Sequence, residues 1–102
     1  MTKKELEKMT ANIIRSAEFV AHYKPINKEK ALNLETGLLA KVNMACAMGY
    51  NFYVNDMLIN QRDIEYSYEY KTLLPGHYIE VVRFDGFRHL VPVVTEGGKG
   101  NE

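Results

Sequence analysis

The sequence predicts an α+β fold, two N-terminal helices packed on a C-terminal antiparallel sheet of about four strands, because its two halves carry different hydrophobic periods. Up to about residue 48, apolar residues recur at spacings of three and four, which lines one stripe of a helix. Beyond Gly49 they alternate, and the composition turns aromatic and β-branched, as a sheet with one packed face requires. Asp85-Gly86 between two apolar runs adds a third sign, since that dipeptide is a strong hairpin signal.

The first helix is predicted from about Thr2 to Tyr23, with Leu6, Met9, Ile13, Ala17, Val20 and Ala21 on its buried stripe. Lys4, Glu7, Lys8, Arg15 and Glu18 fall largely elsewhere on the wheel. Pro25 interrupts, and Asn27 then caps a second helix from about Lys28 to Met48, packed through Ala31, Leu34 or Glu35, Leu38, Val42, Ala45 and Cys46. Gly49 stands where helices end in the left-handed conformation. Gly37 is an interior weak point, costing about 1 kcal/mol relative to alanine, and is the predicted break in this helix.

A short strand follows over Tyr50 to Val54, closed by a turn at Asn55-Asp56. Ile64, Tyr66, Tyr68 and Tyr70 alternate with Glu65, Ser67, Glu69 and Lys71, the clearest period of two in the chain. After Pro75-Gly76, the run His77 to Phe84 is predicted to pair with Phe87 to Val94 across a two-residue turn at Asp85-Gly86. That register sets Phe84 against Phe87, Arg83 against Arg88, Val82 against His89, Val81 against Leu90 and Glu80 against Val91. Pro92 lacks an amide proton, which places its strand at an edge or at a bulge. Residues 1–95 form one domain on this reading, and the polar, glycine-rich residues 96–102 a flexible tail.

Thirteen basic and thirteen acidic side chains cancel, so the chain presents no field to steer it onto a phosphate backbone, and nucleic acid is not the favoured partner. Cys46 is the single cysteine, which fits a reducing compartment and a cytoplasmic localisation. The first twenty residues lack the apolar run of a signal peptide or a membrane span. An edge strand near Pro92 and an abundance of tyrosine are compatible with a homodimer.

The chemistry-bearing residues are few. His22 and His77 stand at element ends, without His, Cys or carboxylate at the spacing of a closed metal site, so no metal and no cofactor are expected. Cys46 lies on the apolar stripe near the C-terminus of the second helix, where the dipole opposes a thiolate and cysteine behaves as a small buried hydrophobe. Tyr66, Tyr68 and Tyr70 offer a stacking face for bases, although sheet aromatics under helices are commoner and no basic track is interleaved. Arg83 and Arg88, opposed in the predicted hairpin, form a candidate fork for a carboxylate or phosphate, unless Glu80 or Asp85 bridges them. With Asp85 and His89 they make up the candidate partner-binding patch.

The segment Leu74-Pro75-Gly76-His77-Tyr78-Ile79-Glu80-Val81-Val82-Arg83-Phe84-Asp85-Gly86-Phe87-Arg88-His89-Leu90-Val91 resembles the C-terminal core of papain-like cysteine peptidases of the bacteriocin-exporter type, including their small phage-borne relatives. About twenty residues carry it, and the match sets His89 at the family's histidine position. The stretch Ile26 to Asp56 is loosely similar to the helical linker of the phage-borne members. In that family the cysteine opens the first long helix after a glycine. Here the region reads Lys8-Met9-Thr10-Ala11-Asn12-Ile13-Ile14-Arg15-Ser16, with Ala11 near the nucleophile's place, and the family's acid would fall beyond Gly98. A histidine with neither nucleophile nor orienter lacks the parts for acyl transfer. The resemblance implies a shortened, catalytically empty version of the fold, or one whose cysteine has been replaced.

The expected function is therefore that of a non-enzymatic binding or inhibitor protein of phage or mobile-element type, occupying a partner protein's surface. Two alternatives belong to other classes: a diverged cysteine peptidase or amidase using Cys46 and His89, and a sponge for a nucleotide or other small ligand.

Overall fold

Helix α1 (Lys3–Tyr23) opens on a capping box. The Thr2 hydroxyl accepts the Glu5 amide at 3.1 Å and the Glu5 carboxylate accepts the Thr2 amide at 2.8 Å, so two amides at the helix start are satisfied within one turn. The computed structural model describes residues 2–60 and 76–93. In it, a turn through Pro25 leads from α1 into α2 (Lys28–Ala47), capped as predicted by Asn27, whose Oδ1 accepts the Lys30 amide at 3.1 Å. At the far end of α2, the Gly49 amide bonds to the Cys46 carbonyl and the Tyr50 amide to the Ala45 carbonyl, both at 3.0 Å, with Gly49 at φ +97°. That pair of bonds is a Schellman ending, which needs the left-handed residue that glycine supplies. The predicted break at Gly37 does not occur, because flanking Leu34 and Leu38 pack inward and hold the turn that glycine weakens.

Strands β1 (Phe52–Ile59), β2 (Gly76–Arg83) and β3 (Arg88–Pro92) form an antiparallel sheet in the order β1-β2-β3. Three strands thus stand among the described residues where about four were predicted. The predicted strand over 64–71, its tyrosines and the tail lie outside the described residues. The expected turn at Asn55-Asp56 is corrected: both residues sit inside β1, opposite Glu80 and Ile79. The unbroken pairing of β1 with β2, from Phe52 opposite Arg83 to Ile59 opposite Gly76, carries the strand through both and outweighs the local turn preference, and Asp56 adds an ion pair with Lys24, just past the end of α1.

Helix α1 packs on β2 and β3, and α2 on β1. Ile13, Ala17, Val20, Leu38, Val42 and Ala45 meet Phe52, Ile79, Val81 and Val91 in one core. Each large side chain buried there is worth about 1.5–3 kcal/mol relative to exposure. On the opposite face of the sheet, Ile59, Tyr78 and Leu90 form a smaller cluster with Met57 against it. Among the described residues no helix is long and apolar enough to cross a membrane.

The hairpin register differs from the prediction by one residue. Tyr78 pairs with Pro92, Ile79 with Val91, Glu80 with Leu90, Val81 with His89 and Val82 with Arg88. The Arg83 amide donates to the Phe87 carbonyl and the Gly86 amide to the Arg83 carbonyl, each at 2.9 Å, which leaves Phe84-Asp85-Gly86 as the loop. A two-residue type I′ turn needs positive φ at both Asp85 and Gly86, whereas only Gly86 has it, at +103°. A slip of one residue turns every side chain of a strand to the other face. In the observed register Val91 enters the helix-facing core and Arg88 stays outside it; the predicted register would have driven that guanidinium under α1. Pro92 stands exposed in the last pair of β3, at an edge of the described sheet, as its missing amide proton requires.

Candidate functional site: the hairpin end of the sheet

The register places the two arginines on opposite faces, so the fork of opposed guanidinium groups does not form. Arg83 shares the helix-facing side of β2 with Ile79 and Val81. Its Nη1 donates to Thr10 Oγ1 at 2.8 Å, and the buried Thr10 hydroxyl donates in turn to the Leu6 carbonyl at 2.8 Å. The Arg83 Nε donates to both Asp85 oxygens, at 2.8 and 3.0 Å, and the guanidinium lies 4.7 Å from the centre of the Phe87 ring. With only 17% of its side chain exposed, Arg83 ties the turn to α1. Asp85 also accepts the Phe87 amide at 3.2 Å. The Arg83 hydrogen bond first, and the Phe87 amide second, hold its carboxyl below the usual carboxylate range.

Arg88 projects from the outer face, where Glu80 pairs with it. Glu80 is itself buried, so the arginine supplies the positive charge this carboxylate needs there. Both carboxylates that the sequence offered as bridges are thus used, one per arginine. His89 lies opposite Val81 on the helix-facing side, half-buried. Of the four residues in the predicted patch, Arg83 and His89 face the helices, Asp85 sits exposed on the turn, and Arg88 alone is on the outer sheet face.

Cys46 and His89 are not brought together. The Cys46 thiol points at the Phe52 carbonyl, 3.9 Å away, on β1. His89 is on β3, and the intervening strand β2 sets β1 and β3 about 10 Å apart, two inter-strand spacings. His22 packs edge-on against Tyr23, with ring centres 4.8 Å apart, and His77 Nε2 lies 3.7 Å from Asp56 Oδ2. No three His, Cys, Asp or Glu side chains converge as metal ligands among the described residues.

Comparison of the chain with protein-family models, with curated proteins and with solved structures returns no match.

What the hairpin end does assemble is a row across the outer face. Tyr53 pairs with Val82 and Val82 with Arg88, one residue from each strand. The Phe84 amide donates to the Asn51 carbonyl at 2.9 Å and so continues the β1–β2 ladder one step, which sets Phe84 diagonally beside Tyr53. Tyr53 is 58% exposed and Phe84 65%. The sequence carried a signal for this row: Tyr53 alternates out of phase with the apolar Phe52 and Val54, and Phe84 stands between the charged Arg83 and Asp85 at the loop. The two-residue turn concealed it by making Phe84 a strand partner of Phe87.

Proposed function

We propose that the chain is a non-catalytic binding or inhibitor protein that covers part of a partner protein's surface with the outer face of its hairpin end. The observation that carries this reading is the row Tyr53-Val82-Arg88 with Phe84 beside it, two exposed aromatics and an arginine on a rigid three-strand platform. Tyrosine, phenylalanine and arginine are enriched in the cores of protein interfaces, the aromatics because they desolvate a large area with few rotatable bonds and arginine because its planar fork offers several donors. Arg88 brings its charge already partnered by Glu80, so covering it leaves no unpaired ion. The Arg83–Asp85–Thr10 network contributes stiffness: it holds the turn that carries Phe84, and so lowers the ordering entropy of docking.

The test uses photo-crosslinking residues at positions 53 and 84, with position 18 on α1 as a control, in a lysate of the source cell. The expected result is one discrete adduct from positions 53 and 84 that position 18 does not give. Binding of that protein should fall at least tenfold in Tyr53→Ala and Phe84→Ser, with unchanged thermal melts. Equal labelling at all three positions, or an adduct whose affinity ignores both substitutions, refutes the proposal.

A further inference from the structure

On the solvent side of the helix pair, α1 and α2 part to leave a groove of about 490 Å³, within the range that small ligands occupy. Its floor is Ile13 and Ala45, both buried to 1% exposure or less. Its walls carry thioethers beside Asn12: Met9 from α1, Met44 from α2 and Met48 just past the end of α2, the last two exposed by 64% and 47%. Small Ala45 makes the depth, and methionine, unbranched and polarisable, suits an occupant that is itself a flexible apolar chain. Two lysines are among the lining residues, Lys8 from α1 and Lys41 from α2. Lys41 donates to Ser16 Oγ at 2.6 Å, a bond that spans the two helices beside the groove. The one carboxylate among the lining residues, Glu5, is turned to the Thr2 amide in the capping box. An apolar trough with a cationic rim calls for an apolar body ending in an anion.

We propose that this groove is a second binding site, distinct from the hairpin end, and that it takes an aliphatic carboxylate of medium chain length, the chain on the methionines and the carboxylate between Lys8 and Lys41. The complementarity of the rim charge selects this occupant over a neutral or cationic amphiphile, and the site does not depend on the hairpin-end reading.

The test titrates octanoate, octanol and octyltrimethylammonium, each below its micelle-forming concentration, into the full chain labelled on its methionine methyl groups. Saturable shifts of Met9, Met44 and Met48 with octanoate, and weaker binding of the other two, are expected. Lys8→Gln with Lys41→Gln should weaken octanoate about fivefold and leave octanol unchanged. Met44→Gln with Met48→Gln, at exposed positions that folding tolerates, should weaken both. Three results would overturn the assignment: no saturable shift, octanol or the cation binding as tightly as octanoate, or an amphipathic helical peptide outcompeting octanoate on the same methyl groups.

Discussion

The bond between Arg83 and Thr10 offers the sharpest test of the architecture. Replacing Arg83 by methionine keeps the aliphatic stem and removes the guanidinium. A hydrogen bond from a charged donor is worth about 1.5–3 kcal/mol, and the stacking on Phe87 adds about 0.5–1 kcal/mol. Because 17% of the side chain still reaches water, the lower part of that range applies, and the contact with exposed Asp85 is left out of the sum. The expected loss in Arg83→Met is about 2–3 kcal/mol, or about 10–20 °C in Tm for a domain of this size. Thr10→Val preserves shape and removes the acceptor, so it should cost about 1 kcal/mol, while Thr10→Ser retains the bond. In a double-mutant cycle on urea unfolding with unchanged m, the Arg83→Met and Thr10→Val pair should couple by about 1 kcal/mol, nearly the whole cost of Thr10→Val. A coupling below about 0.5 kcal/mol would show that the guanidinium does not join the turn to α1, and the stiffness ascribed to the hairpin end would go with it.

Two further outcomes are expected. Gly86→Ala should lose about 1–2 kcal/mol in urea unfolding, a purely conformational penalty, since a Cβ there meets nothing within 4 Å while φ is +103°; an unchanged midpoint would contradict the three-residue loop. Burial raises the Tyr78 phenol above its ordinary value, so the unfolded chain ionises first as the medium becomes alkaline. The difference from the unfolded chain is felt only as pH rises past about 10 and through the folded value, so the parent chain should lose stability relative to Tyr78→Phe above pH about 10. Curves that stay parallel across that interval would place Tyr78 in contact with water.

Much of the helical half was legible because its signals are local and agree with one another. The stripe through Ile13, Ala17 and Val20, the Asn27 cap and the Gly49 ending all act within a few residues and match the tertiary packing. The sheet was less legible, because a strand's boundaries are decided by residues far away in the chain. Asn55-Asp56 reads as a turn in any window that omits its strand partners Ile79 and Glu80. The hairpin register failed for a similar reason. Asp-Gly favours a two-residue loop locally, but that loop would have turned Arg88 toward the helices and Val91 away from them, and burial of the correct face outweighs a turn preference. Arg83, Asp85, Arg88 and His89 all stand near the turn, yet what each side chain touches follows from the side of the sheet it faces, which one step of register decides.

The contact between Thr10 and Arg83 spans 73 positions of the chain and also has an order in time. A growing polypeptide leaves the ribosome N-terminus first. Both helices are therefore translated before the segment that supplies Val81, Arg83 and Val91, and the sheet-facing side of Ile13, Ala17 and Val20 must wait for it. Until β2 and β3 follow, the helix pair can bury that stripe only against its own Leu38, Val42 and Ala45, so the core closes with the hairpin, the part of it made last.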